Sequence, residues 1–211
     1  MNKPIAINVL SIFAVVVIIL GSFGQIAAAE ALSDTDYILY DLSELGISVP
    51  MPTDYYVFTL GMPSDSPTLK AFGITPAEVD AVLMRNNSLL DAVSPNGKKE
   101  IFVMGYDSTN INFSQMDEIA IESYEYSLKD LFEQIGDTVS SMDRYSTGDA
   151  VYIRFWKNSP NNSVYSLQYY TIYNHKAISI TLTKRSGALD ETEEILIAEI
   201  ADNIVTMSNI K

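Results

Sequence analysis

Short runs in which apolar and polar residues alternate recur through most of the chain, and turn residues separate them. Such runs predict β-strands, because the side chains of a strand alternate between the two faces of a sheet. Many of them are joined by short turns such as Pro95-Asn96-Gly97, which predicts hairpins and therefore antiparallel pairing. The predicted strands cover residues 37–42, 46–51, 55–60, 89–94, 100–106, 138–145, 150–157, 164–173 and 177–184.

Two segments open with residues that cap helices. At Thr75-Pro76-Ala77-Glu78, the threonine hydroxyl caps, proline suits the first helical position, and glutamate reaches back to the cap. This pattern predicts a helix over residues 76–86, preceded by a loop over residues 61–67. Asp190-Glu191-Thr192-Glu193 repeats the pattern and opens a last helix. Its apolar stripe, which should pack on a sheet, consists of Leu196, Ile197, Ile200, Ile204 and Met207.

A third helical segment covers residues 114–135, where apolar residues recur at three- and four-residue intervals with acids between them. The spacing is compatible with one long helix or with two short ones. Gly136 is a natural stop, since glycine readily adopts the left-handed conformation that ends helices.

The two faces of the late strands predict how the layers are ordered. Residues 164–173 are largely apolar on both faces, which is typical of a central strand covered twice. Residues 177–184 place isoleucine and leucine on one face and Ser179, Thr181 and Thr183 on the other, which favours a position nearer an edge or under a thinner cover. Together these patterns predict an α+β fold, an antiparallel β-sheet with helices packed on both faces as an α/β/α sandwich.

The first residues of the chain have the pattern of an export signal. Lys3 supplies one positive charge, residues 4–29 contain no charged side chain, and residues 12–20 are densely apolar. Ala27-Ala28-Ala29 then offers the small residues that signal peptidases require. Residues 1–29 are therefore predicted to be a cleaved signal peptide.

An uncleaved N-terminal membrane anchor is the alternative, because residues 5–24 are about as long as an apolar helix that spans hydrocarbon. Both interpretations place the rest of the chain outside the membrane, extracellular or at the cell surface. Residues 30–36 are a short acidic leader, and residues 37–211 are predicted to form one domain.

Composition narrows the classes of function. Thirteen basic residues against 27 acidic ones give a formal charge of −14, which repels the phosphates of nucleic acids. The chain has no cysteine, so it has neither disulfides nor a thiolate nucleophile, and it has a single histidine, His175. That histidine lies in a predicted turn and is interpreted as an exposed turn residue. We therefore expect no cofactor, no metal site and no nucleic-acid partner.

Two stretches of the chain resemble PsbP/DcrB-like domains. The first is Leu45-Gly46-Ile47-Ser48-Val49-Pro50, leading to Asp54-Tyr55-Tyr56-Val57, and the second is the predicted hairpin over residues 169–181. The resemblance spans about residues 37–207, although His175 stands where the family's turn has glycine and residues 116–135 exceed a minimal version of the pattern. It implies a PsbP-like sheet with helices on both faces, in domains that mostly act as binding or accessory modules. No functional residue of the family is transferred by motif.

One strand face combines residues that suit a ligand. Tyr152, Arg154 and Trp156 share a face, so a guanidinium lies between two aromatic rings. Such a group can hold an anion, or it can simply stack on the rings as part of a half-buried sheet. These three residues are the candidate ligand-binding site, and no catalytic residue is predicted.

The patterns favour an exported, non-catalytic binding or accessory module at the cell envelope or outside the cell. Its partner would be a protein, an envelope component or a small ligand, and it would touch the membrane only through its N-terminal segment. One alternative is a membrane-anchored structural or assembly protein that keeps residues 5–24 as a helix. A third is a hydrolase in which two carboxylates converge in a cleft with separated pKa values.

Overall fold

A computed structural model describes residues 36–148, 150–159 and 163–206. The predicted signal or anchor segment and the acidic leader up to residue 35 lie outside the described residues, as does Met207 of the predicted apolar stripe. Across the described ranges, no helix is long and apolar enough to cross a membrane.

Antiparallel strands follow one another in groups, and helices lie between the groups, as in an α+β fold. The strands are β1 (Tyr37–Leu42), β2 (Ile47–Pro52), β3 (Tyr56–Thr59), β4 (Ser88–Val93), β5 (Lys99–Asp107), β6 (Thr138–Thr147), β7 (Ala150–Asn158), β8 (Tyr165–Tyr173), β9 (Lys176–Lys184) and β10 (Val205–Thr206). The α-helices are α1 (Pro67–Phe72), α2 (Pro76–Arg85), α3 (Glu118–Gln134) and α4 (Glu191–Asp202), and a 3-10 turn covers Phe113–Gln115.

The strands form two antiparallel sheets. The larger has seven strands in the order β3-β4-β5-β9-β8-β7-β6, and the smaller has three in the order β1-β2-β10. Hairpins β4–β5, β6–β7 and β8–β9 supply local pairings, while β5 pairs with β9 over a long sequence separation. The predicted antiparallel sheet with helices on both faces is confirmed.

The large sheet is covered differently on its two faces. Its front face, which carries residues such as Leu90, Val103, Ile180 and Leu167, packs against α4 and the small sheet in one continuous apolar core. Its back face packs against α1 and α2 at the β3–β4 end, and against α3 at the β6–β8 end. The two back-face clusters are separate from each other.

The predicted caps form and fix two helix starts. Thr75 accepts a hydrogen bond from the backbone N–H of Glu78, whose side chain bonds back, and Asp190 and Glu193 do the same for α4. The segment 114–135 is two pieces, because Met116 is extended and the Asp117 side chain caps a new helix through the N–H of Ala120.

One helix was not predicted, and two predictions about the elements are wrong. Residues 61–66 are loop as predicted, and the unpredicted helix α1 begins at Pro67; its six residues are too few to show a helical period. The last helix ends at Asp202, because Val205–Thr206 pairs with β2. Strand β9 is not near an edge: it is the middle strand of seven, and Ser179 and Thr181 are buried on its back face.

The turn between β8 and β9 is held in the left-handed region. Asn174 and His175 have φ values of 47° and 61°, and the His175 side chain is exposed as predicted. The backbone of His175 donates to the carbonyl of Ile111 and accepts from the N–H of Ser108, so the turn fixes the loop after β5.

Ile200→Asp is expected to unfold the domain. Ile200 is fully buried in the front-face core, so the substitution removes an apolar side chain and places a carboxylate there, at a cost of at least about 3 kcal/mol. Ile195→Asp is the matched control, because Ile195 lies on the exposed side of the same helix. Denaturant unfolding measures both, and an unchanged midpoint for Ile200→Asp would contradict the placement of α4.

Candidate functional site

The structure brings the predicted site residues together on the front face of β7. The guanidinium carbon of Arg154 lies 4.9 Å from the ring centre of Tyr145, 5.0 Å from that of Trp156 and 5.7 Å from that of Tyr169. Tyr152 is on the same face, and its ring makes an edge contact with Tyr169. Strands β6, β7 and β8 therefore build an aromatic box around one cation.

Internal partners occupy the polar groups of this box. Arg154 donates from Nε and Nη2 to both carboxylate oxygens of Asp143, at 2.6 and 2.5 Å, and these bonds raise its pKa. The indole N–H of Trp156 donates to Glu194 at 3.1 Å. Tyr152 is buried beneath α4, and its hydroxyl donates to the carbonyl of Ala201 at 3.3 Å. Of the three predicted residues, Arg154 and Trp156 remain half-exposed.

Asp143, Tyr145 and Tyr169 belong to the box but were absent from the sequence prediction. They come from neighbouring strands, and their place is set by register: Asp143 pairs with Arg154, which in turn pairs with Tyr169. A single-strand pattern contains no information about these neighbours. Because Asp143 neutralises Arg154, an anionic ligand would have to compete with an internal carboxylate.

A second group of polar residues lies on the back face, between the two apolar clusters. We call it the back-face seam, and it crosses the middle of the sheet from β5 to β7. Register aligns its members across the strands, and all of them are buried or half-buried. The seam consists of Glu100, Thr183, Ser166 and Lys157 in one row, Thr181 and Gln168 in the next, and Ser179 beyond them.

Lys157 anchors one end of the seam. Its ammonium donates to Gln168 at 2.6 Å, and the Gln168 amide donates to Ser179 at 2.7 Å. Asp137 lies 3.8 Å from the ammonium, which also sits 3.9 Å from the ring centre of Phe132 on α3. Burial lowers the pKa of Lys157 to about 8 despite the charge of Asp137. This chain of bonds ties α3 and the following loop to the sheet.

Glu100 of β5 is the other end of the seam, and Asp91 lies beside it on the neighbouring strand β4. Asp91 is opposite Phe102 and Glu100 is opposite Val93, so the two acids share a face, and they are 3% and 6% exposed. Arg185 donates to Glu100 at 2.9 Å. Burial raises the pKa of both acids, and the proximity of Glu100 raises that of Asp91 further.

These acids meet part of the condition for a hydrolase, since two carboxylates converge with altered pKa values. Asp91, however, lines only a small cavity together with Phe58 and with Val79, Val82 and Leu83 of α2. General acid–base chemistry requires the substrate to come within hydrogen-bond reach. With α2 in place, the pair is enclosed by the protein.

The buried charge of Lys157 should make the protein more stable to unfolding as the pH rises into the alkaline range. Because its folded pKa lies below its unfolded value, the unfolded state binds more protons between about pH 8 and 10.5. The free energy of unfolding should therefore increase through that interval, by up to about 3 kcal/mol. Lys157→Met should remove the increase, and Lys129→Met, at a half-exposed position on α3, should retain it. Equilibrium unfolding at several pH values measures both variants. If the free energy of unfolding changes equally with pH in the two variants, the lowered pKa of Lys157 is wrong.

No protein-family model matches the chain, and no curated protein matches it in sequence. Among solved structures, the solution structure of cyanobacterial PsbP (CyanoP) from Synechocystis sp. PCC 6803 is similar, with a TM-score of 0.50. The match covers 87% of this chain and 99% of that chain at 12% identity, so the likeness is one of fold. The chain thus has a PsbP-like α+β fold, as the resemblance in its sequence predicts.

Proposed function

We propose that the chain is an exported, non-catalytic binding or accessory module that works at the cell envelope or outside the cell. The export pattern of residues 1–29 supports the location, and the PsbP-like fold is consistent with an accessory role. The burial of Asp91 and Glu100, with Asp91 against Val79, Val82 and Leu83 of α2, is the observation that carries the non-catalytic part. The candidate acids are inaccessible to a substrate in this conformation.

The half-exposed part of the aromatic box is the proposed contact surface. Arg154 and Trp156 are fixed by stacking and by bonds to Asp143 and Glu194, so they present a rigid, amphipathic surface at the β6–β7 end of the sheet. Rigid aromatic and arginine side chains suit protein interfaces, because little side-chain entropy is lost on binding. The partner is an envelope component, a protein or a small ligand, and any anionic group that it offers to Arg154 competes with Asp143.

A membrane-anchored assembly protein is the second candidate. Residues 5–24 are uncharged and about long enough to span a bilayer as a helix, which favours this alternative if the segment is retained. The domain would then act as a docking unit held near the membrane surface.

The mature N-terminus separates the two candidates. A mature chain beginning at or near Glu30 in the extracytoplasmic fraction is expected, since cleavage should follow Ala29. N-terminal sequencing and intact mass of the native protein measure this. Retention of residues 1–29 in the membrane fraction would support the anchored candidate, and an intact chain in the cytosol would contradict both.

Binding through the aromatic box is tested with the tagged chain and native envelope material. Arg154→Ala is expected to weaken the affinity for the captured partner at least tenfold, which is equivalent to about 1.4 kcal/mol. Arg85→Ala is the control, because Arg85 is exposed on α2, on the other face of the sheet. Melting curves should show both variants folded, since Asp143 is half-exposed and can be hydrated when Arg154 is removed. If the two variants capture equal amounts of partner, the binding surface is not the aromatic box on β7.

A further inference from the structure

Helix α2 covers Asp91, one of the two buried acids. Asp91 faces α2 from β4, where Phe58 is its partner on one neighbouring strand and Phe102 on the other. Val79, Val82 and Leu83 of α2 line the small cavity above it. Among the described residues, the Oδ1 atom of Asp91 has no hydrogen-bond partner.

The charges around this pair do not balance unless a proton is present. Asp91 and Glu100 contribute two carboxyl groups, and Arg185 is the cation that acts on both of them. The surrounding side chains of β3 and α2 at the cavity are apolar. Burying a carboxylate beside another one is costly, so the pair is stable when it holds one proton.

The remaining charged groups on the neighbouring elements have other partners or are exposed. On α1, Lys70 is exposed, and on β5, Lys99 pairs with Glu193 and Asp107 with Lys176. On α2, Glu78 bonds to Thr75, Asp80 accepts from the N–H of Gly61, and Arg85 is exposed at the end of the helix. On β9, Lys184 bonds to Asp190 and Glu193, on the side of α4. The protonation state of the acid pair therefore decides how much charge is buried next to α2.

The attachment of α2 to the sheet is local. It packs in a small cluster whose buried members are Phe58, Leu69, Val79, Leu83 and Val93. The back-face seam separates this cluster from the one beneath α3, and the main core lies on the opposite face. Segments with few apolar contacts open below the free energy of global unfolding, so α2 can leave the sheet while the rest of the domain stays folded.

We propose that the Asp91–Glu100 pair is a protonation-dependent latch for α2. With one proton shared, Asp91 donates to Glu100, Glu100 accepts from Arg185, and α2 is closed on the sheet. When the proton is lost, Asp91 becomes an uncompensated carboxylate under apolar side chains, and α2 opens so that water can reach it.

The direction of the pH effect follows from proton binding. In the closed state the pKa of Asp91 is raised well above its ordinary value, and in the open state it returns to that value. Opening thus releases a proton over this interval. Its equilibrium constant rises by up to about tenfold for each pH unit, and it levels off above the closed-state pKa.

Hydrogen exchange on the full chain tests the latch. Amides of α2 should open increasingly as the pH is raised above the ordinary range of an aspartate, after correction for intrinsic exchange chemistry, by up to about tenfold per pH unit until the closed-state pKa of Asp91 is passed. Amides of α4 should show no comparable increase. Equal protection of α2 across the range would overturn the proposal, and so would a parallel rise in both helices, because that pattern indicates global unfolding.

Asp91→Asn should close the latch permanently, since the amide donates to Glu100 as the protonated acid does. Its α2 amides are expected to lose the pH dependence, whereas Asp130→Asn, at an exposed position on α3, should behave like the wild type. Asp91→Leu, which has no titratable group and a similar volume, is a second variant, should Asp91→Asn fail to fold. A wild-type pH profile in either folded variant would overturn the latch.

Discussion

The antiparallel pairing of β5 with β9 is the contact on which the rest of the structure depends. It extends over nine residue pairs, from Lys99 opposite Lys184 to Asp107 opposite Lys176. It joins β3-β4-β5 to β9-β8-β7-β6. Without this pairing, the large sheet would be two separate sheets of three and four strands. Because the front-face core and α4 extend across this join, the two halves are stabilised as one layer.

The polar seam lies at that same join, and it restricts how the strands pair. A slip of one residue in β9 would exchange Ser179 and Thr181 with Ile178 and Ile180, moving hydroxyls into the main core and apolar chains into the seam. The correct register instead gives hydrogen-bond partners to Gln168 and Ser179. Buried polar groups that are fully bonded contribute modestly to stability but strongly disfavour the alternatives in which they are unpaired.

Most of the fold can be predicted from the sequence, because its signals are local. Alternation fixes the strands, and the caps at Thr75 and Asp190 fix two helix starts within one residue. The failures have a common cause, which is long-range pairing. Nothing within residues 177–184 indicates that β5 lies beside them, so the polar face of a strand in the middle of the sheet was interpreted as a sign of a position nearer an edge or under a thinner cover.

The candidate sites show the same limit. Tyr152, Arg154 and Trp156 share a strand face that alternation alone reveals, whereas Asp143 enters only through the register of β6 with β7. The acid pair was missed altogether. Asp91 and Glu100 are nine positions apart on different strands, and each is a single acid in an otherwise apolar or mixed run. Only the hairpin register, together with the cover from α2, turns them into a coupled pair.

A sheet face that is split into two apolar islands has a consequence for how the protein can change. Substitutions under α2 and substitutions under α3 share no packing contacts, so their free energies should combine independently. Each island can therefore be remodelled, loosened or exchanged in evolution without disturbing the other or the aromatic box on the opposite face. The seam gives the two halves of one sheet face an independence that is usually found between domains.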